Sequence, residues 1–427
     1  TAYATFDGHR SNDYNTYVFM STDYGETWRP LKGDLPEGAT ARVIREHHRN
    51  PNLLLLGTEF GAFASFDRGA HWTRLKGNLP PVRVDDIQIH PRDNDLVLAT
   101  HGRSVWVLDN ITALEQMSDA VMQPDAYLFD LRPATHFRLY GRQGNTGHKY
   151  FSAPNPPYGA IISYYLKARP EGEVKVTILD KGGRTIHEVP GAKEAGLNRI
   201  VWDLRYGLPP AAQQAQPGQA GGGGFGTRGP RVQPGEYVVR LSAGGKESSK
   251  TLRVEEDPRI QISDSDRAAL RDASMKVFEL QRSGEMTRRS MQNVKTQLAA
   301  AQEAMKKNPS ASQALAADAR TLTEKIEAVQ RKLVPVLDLS GRAGPPLPGA
   351  PRPLLGRVNQ LASLLDGYTA APSQDQRESI GELSKEMKSI ADEWNKLMEE
   401  AVPGFNRQIK EGEIKPLNPG PRLAIPN

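Results

Sequence analysis

Apolar and polar residues alternate with a short period over the first two thirds of the chain. Runs at 2–6, 16–21, 42–46, 53–58, 62–65, 72–75, 84–90, 96–100 and 104–108 are each broken by Gly, Pro, Asn or Asp. Period two bounded by turn residues predicts short β-strands. Six more such runs fall at 160–167, 173–179, 185–189, 198–204, 236–241 and 249–254. Asp180-Lys181-Gly182-Gly183 and Ala243-Gly244-Gly245-Lys246 offer hairpin turns between them. From Ser263 onward the spacing changes to three and four. Leu270, Ala273, Val277, Leu280, Met291, Val294, Leu298, Ala301 and Met305 keep one helical seam, weakened at Gly284 and Thr287. Three further seams run from Leu315 to Leu333, Leu354 to Tyr368 and Ile380 to Leu397. Ser263 with Asp266, Ser310 with Gln313 and Ser373 with Gln376 are spaced as N-terminal caps. The seams predict an antiparallel helical bundle whose Met and Trp residues are core.

The strand-rich start contains an internal repeat. Ser21-Thr22-Asp23-Tyr24-Gly25-Glu26-Thr27-Trp28 returns as Ser65-Phe66-Asp67-Arg68-Gly69-Ala70-His71-Trp72. The match continues, Leu31-Lys32-Gly33-Asp34-Leu35-Pro36 against Leu75-Lys76-Gly77-Asn78-Leu79-Pro80. Gly25 and Gly69 suit a turn with positive φ, and Asp23 and Asp67 can accept the N–H groups of that turn. Each Trp then opens an outer strand. Repeats of this length, built of short strands, predict β-propeller blades. A third copy starts at 84–90 and fades at Leu108-Asp109-Asn110. A ring needs at least ~4 blades, so the missing blades come either from another chain or from upstream sequence; the expectation adopted is the second, the C-terminal portion of a longer protein completed by upstream blades. The expected division is blades over 1–125, an immunoglobulin-like β-sandwich over 126–258, a helical bundle over 259–402 and a Pro-rich tail over 403–427. Fold class is thus multidomain, β plus α. The run 213–230, with Gly221-Gly222-Gly223-Gly224-Phe225-Gly226, lacks the Gly-Lys-Ser/Thr ending of a phosphate loop and reads as a surface loop. Pro-rich 345–353 interrupts the helices.

The pattern Ser-x-Asp-x-Gly-x-Thr-Trp, complete at 21–28 and carrying His71 for Thr in the second copy, resembles the Asp-box or BNR repeat of sialidases, sortilin-type receptors and some xyloglucanases. Asp7-Gly8-His9-Arg10, the stretch 99–109, Asn155-Pro156-Pro157-Tyr158-Gly159-Ala160, the stretch 196–206 and Pro234-Gly235-Glu236-Tyr237 are similar to bacterial proteins carrying glycosyl hydrolase or sortilin-like labels. The resemblance extends over nearly the whole chain. It implies an exported protein (periplasmic, cell-surface or secreted). It also implies that Ser21, Asp23, Gly25, Trp28, Ser65, Asp67, Gly69 and Trp72 form structural turns rather than an active site. Fold does not establish reaction.

Composition narrows the chemistry. Lys plus Arg number 55 against 50 for Asp plus Glu, and the longest basic runs are the pairs Arg288-Arg289 and Lys306-Lys307. That gives no footprint for nucleic acid. With no cysteine, disulfides and thiolate metal sites are excluded. No apolar run approaches the ~18 residues of a membrane helix. Neither a His-x-x-x-His pair, a calcium loop nor Gly-x-Ser-x-Gly occurs, so no cofactor or metal is expected. In a blade the box joins the third strand to the fourth, and loops joining the second to the third emerge on the opposite face. Asp7, His9, Arg10, Asp13, Glu59, His101 and Arg103 fall in such loops and are the candidate ligand residues. Carboxylates and Arg can grip a sugar or a peptide carboxylate; equally, they are ordinary turn residues. Two functions follow. One is a non-catalytic binding protein for a glycan or peptide. The other is a sialidase-like or polysaccharide-active hydrolase, whose paired carboxylates, ~5 to 9.5 Å apart, or arginine cluster with Tyr, would sit mainly upstream.

Overall fold

The computed structural model describes residues 1–138, 147, 149, 153–207, 229–307, 313–334, 352–409 and 414–424. Most of the Gly-rich run, the Ser310 cap and most of the Pro-rich break at 345–353 lie outside them. The chain divides into two units, one of residues 1–204 and 234–257, the other of 205–233 and 258–427.

The first unit opens with three antiparallel meanders. Strands β1 (Ala2–Phe6), β2 (Tyr17–Ser21) and β3 (Arg29–Pro30) make the first sheet. The middle sheet is β4 (Ala41–Glu46), β5 (Leu54–Thr58), β6 (Gly61–Ser65) and β7 (Thr73–Arg74). The third is β8 (Val84–Ile89), β9 (Leu96–Thr100) and β10 (Val105–Leu108). Alternation sorts the side chains between two cores. Leu54, Leu56, Phe63 and Trp72 pack with Val18, Met20 and Leu31, whereas Leu55, Ala62 and Ala64 pack with Ile87, Leu96 and Leu98. A sheet covered on both faces has no polar side, which is why Leu53 to Leu56 read as one unbroken apolar run.

Two short helices follow, α1 (Thr112–Gln116) and α2 (Asp119–Met122). Next come β11 (Ala126–Leu128), β12 (Ala134–His136), β13 (Ala160–Leu166), β14 (Lys175–Leu179), β15 (Thr185–Pro190), β16 (Gly196–Trp202), β17 (Gly235–Ala243) and β18 (Lys246–Glu256). They form a three-stranded sheet, β11-β13-β16, and a five-stranded one, β12-β18-β17-β14-β15. The β17–β18 ladder runs to its turn because Gly244 and Gly245 both take positive φ, so pairing reaches Ala243↔Lys246. Arg199 fastens this region to the meanders by donating to the carbonyls of Asp109 and Asn110 at 2.8 and 2.9 Å.

The second unit is helical: α3 (Asp264–Lys307), α4 (Gln313–Leu333), α5 (Leu354–Gly367) and α6 (Gln374–Arg407). Contacts fix the directions. Lys295 pairs with Glu327, and Gln281 donates to Asn359, so α4 and α5 run end to end, antiparallel to α3. Trp394 reaches Ser290 and Met387 lies beside Gly284, so α6 runs parallel to α3. The weak point of the first seam is a close approach: a Cβ on Gly284 would lie 2.4 Å from Leu355 Cδ2. The capping box at Ser373 is complete, and Ser263 accepts from the Asp266 N–H. Helix α6, expected to end by 402, continues to Arg407 through Pro403. Residues 414–424 do not leave the helices: Leu417 is buried, and Asn406, Gln297, Ser290 and Asn395 hold the backbone of 417–423.

Candidate functional site

The meander registers set two opposite edges. Phe6 pairs with Tyr17 at one end of the β1–β2 hairpin and Ala2 with Ser21 at the other. Asp7, Glu59 and His101 each follow the last residue of an equivalent strand (Phe6, Thr58 and Thr100), so all three share one edge. The box turns lie at the other.

At the box edge, Tyr24 and Gly25, and likewise Arg68 and Gly69, take positive φ in succession. Ser21 Oγ donates to Asp23 and accepts the Gly25 N–H at 2.8 Å, while Asp23 accepts the Thr27 N–H at 3.0 Å. Ser65, Asp67 and Gly69 repeat this geometry, with the His71 imidazole donating to Asp67 at 2.6 Å where Thr27 uses its hydroxyl. The Thr27 hydroxyl and N–H, with Ser21, lower the Asp23 carboxyl to about 2. A carboxyl lowered in the folded state stabilises fully above its ordinary value near 3.8 and loses that contribution as pH falls toward 2. Thermal melts across this range are expected to show an acid limb to which Asp23 contributes, so that it is shallower in Asp23→Asn. A limb unchanged in the variant would remove Asp23 as its source.

At the other edge the structure gathers part of the predicted set. Arg42, only a tenth exposed, bridges two loops: its guanidinium meets Asp7 and donates through Nε to Glu59 at 3.1 Å. His9 donates to Asp7 from its backbone N–H at 3.0 Å and from its ring at 2.6 Å. Burial works to raise the Asp7 carboxyl, but His9 and Arg42 outweigh it and hold it below its usual range. Asp13 is lowered by the Asn15 N–H and the Tyr17 hydroxyl. His101 stands 3.5 Å from Asp85, which Arg83 also holds. Arg10 and Arg103 are exposed on the loops, outside these pairs. Thus Asp7, His9 and Glu59 come together around Arg42, whereas Asp13 and His101 engage separate partners.

Sequence reasoning passed over Arg42. It occupies a bulge in β4, where the register shifts between Ala41 and Val43; Asp85 occupies the same bulge in β8, between Val84 and Asp86. A bulge re-aims a side chain, and the signal for it was the polar residue breaking two otherwise aligned strand starts. Three exposed aromatics on this edge were also passed over: Phe6, Tyr14 and Phe60. Among the described carboxylates the one pushed up is Asp109, by burial and by Asp95, and it lies at the far end of β10, next to Arg199. Among the described residues no group of three or more His, Cys, Asp or Glu could hold a metal, and no helix is long and apolar enough to cross a membrane.

Residues 16–122, about a quarter of the chain, match the Sortilin-Vps10 family, described as sortilin, neurotensin receptor 3. That stretch is sortilin-like and β-rich. No curated protein matches the chain. Among solved structures, the chain is similar to one described as the extracellular domain of a hybrid two-component system from B. thetaiotaomicron. There the identity is 11%, the TM-score 0.19, and the match covers 57% of this chain and 34% of that one. A second, described as the BSP domain of a biofilm associated protein, gives 9% identity and a TM-score of 0.19 over 52% and 26% of the two chains. The chain therefore spans about a third and a quarter of those proteins.

Proposed function

We propose that residues 1–125 are blades of an extracellular β-propeller that binds a glycan or peptide along the edge formed by Asp7, His9, Arg10, Asp13, Glu59, His101 and Arg103, with further blades of the same protein upstream. In this reading 126–258 are an immunoglobulin-like sandwich, and 259–402 a helical bundle. One observation carries it: exposed Phe6, Tyr14 and Phe60 stand on the same edge as the Asp7–Arg42–Glu59 bridge. Exposed rings beside fixed charges offer both stacking area and oriented polar groups. The sortilin-like match over 16–122 supports a binding rather than catalytic role.

Screening against glycan and peptide arrays should return one ligand class. Tyr14→Ala and Phe60→Ala are then expected to weaken binding about tenfold each, ~1.4 kcal/mol, with melting temperature unchanged because both rings are exposed. Ligand turnover, or binding indifferent to both substitutions, would overturn the reading.

A further inference from the structure

Residues 414–424 are neither helix nor strand, yet α3 and α6 hold them by their backbone. Asn395 donates from Nδ2 to the Leu423 carbonyl at 2.9 Å, and its Oδ1 accepts the Leu423 N–H at 3.0 Å. Asn406 makes the same pair with Leu417, at 2.9 and 2.8 Å. From α3, Gln297 pairs likewise with Asn418, at 2.9 and 2.7 Å, and Ser290 donates to the Pro419 carbonyl at 3.2 Å. One carboxamide meets the N–H and the C=O of a single residue only where both point to the same side, as in extended chain and not in a helix. The groove between the two helices therefore selects an extended backbone.

Length is matched as well. Asn395 and Asn406 stand eleven residues apart on α6, about 16 Å at 1.5 Å per residue. From Leu417 to Leu423 the chain advances six residues, about 19 Å in a polyproline II conformation, shortened by the turn at Gly420 (φ +79°). Apolar contact comes from the two ends: Leu417 is buried, and Leu423 packs against the bundle core. Between them Asn418, Gly420, Pro421 and Arg422 are exposed. Arg422 does meet Glu399 at 2.9 Å, but an exposed pair adds little. Pro416, Pro419 and Pro421 have no N–H to satisfy, and they hold the chain extended before it docks. Recognition thus uses backbone geometry and two leucines, and depends little on the side chains between them.

We propose that the α3–α6 groove is a peptide-binding site for an extended, proline-spaced segment of another protein carrying two leucines six positions apart, and that residues 414–424 occupy it in cis. The helical unit thereby carries its own competitor. The outside occupant is a separate protein rather than a second copy, because two copies exchanging this segment only reproduce contacts that each already has. Tethering keeps the resident segment at an effective concentration on the order of millimolar, so an outside peptide enters only when the resident leaves.

The test uses the full chain with a specific protease site inserted between Gly412 and Glu413. The probe is a fluorescent peptide of residues 414–424, followed by anisotropy. After cleavage and removal of the released segment, the peptide should bind saturably, and at least about tenfold more tightly than to the uncleaved chain. Lys415→Ala with Arg422→Ala in the peptide should change affinity by less than about threefold. Exchanging Arg422 and Leu423 in the peptide, which alters the leucine spacing, should cost at least about tenfold. Asn406→Ala in the protein should cost about tenfold, and Asn395→Ala should do the same where its helical circular dichroism equals the parent's. Absence of binding to the cleaved chain, or equal binding of the spacing-altered peptide, would overturn the proposal. So would loss of the helical signal on removal of the segment, because 414–424 would then be part of the bundle's fold rather than an occupant of it. Concentration-dependent dimers of the uncleaved chain that Leu417→Asp abolishes would assign the groove to a second copy and likewise overturn it.

Discussion

Trp394→Ala should cost the helical unit about 3–5 kcal/mol, the range for deleting a fully buried large aromatic. The side chain is 1% exposed and lies in a core with Met387, Ile390 and Met398. Its indole N–H donates to Ser290 Oγ at 3.1 Å, and the same hydroxyl donates to the Pro419 carbonyl at 3.2 Å. The substitution therefore opens a cavity and also loosens the C-terminal segment. Urea unfolding followed at the helical signal should give a lower midpoint with an unchanged slope, the mark of a stability effect without a change in exposed surface. Tyr368→Ala, at a side chain 73% exposed, should move the midpoint by less than ~0.5 kcal/mol. A loss below ~1 kcal/mol at Trp394 would contradict the packing described.

In the β-rich unit the comparable change is Trp202→Ala. Trp202 is wholly buried on β16 and meets Tyr237, on β17 of the five-stranded sheet, edge to face at 5.6 Å. It thus joins two sheets that share no strand. Its backbone is equally crowded: Gly159, at φ +125°, lies where a Cβ would be 2.0 Å from the Trp202 carbonyl. Truncation should again cost about 3–5 kcal/mol, about 10 °C for a unit of this size. Trp202→Phe, keeping an aromatic against Tyr237, should recover a good part. A melting temperature within ~2 °C of the parent for Trp202→Ala would show that Tyr237 and its neighbours close the gap.

The regular elements were legible because each carries its own period. The runs at 160–254 correspond to β13–β18, and the four seams to α3–α6. The exceptions lack local signal. Strand β12 is three residues long and pairs in parallel with β18, Ala134 opposite Val254, a contact no window near residue 134 can contain. Helices α1 and α2 have five and four residues, too few to show a period. Gly284 reads as a flaw in the first seam until Leu355 and Met387 are seen against it. At the loop edge the polar residues could be picked from their loops. Their gathering around Arg42 could not, because it depends on a one-residue bulge and on two loops 52 positions apart, Asp7 and Glu59.

Helix α3 runs 44 residues without interruption, so at 1.5 Å per residue its ends stand about 66 Å apart. Its partner α4 meets it at Lys295 and α5 meets it at Gln281. Residue count then works as a ruler. Inserting seven residues would lengthen the strut by about 10 Å while turning its apolar seam by only about 20°, and inserting four would rotate that seam by about 40°. A heptad therefore keeps the seam facing the same way, whereas other increments would turn its two halves apart.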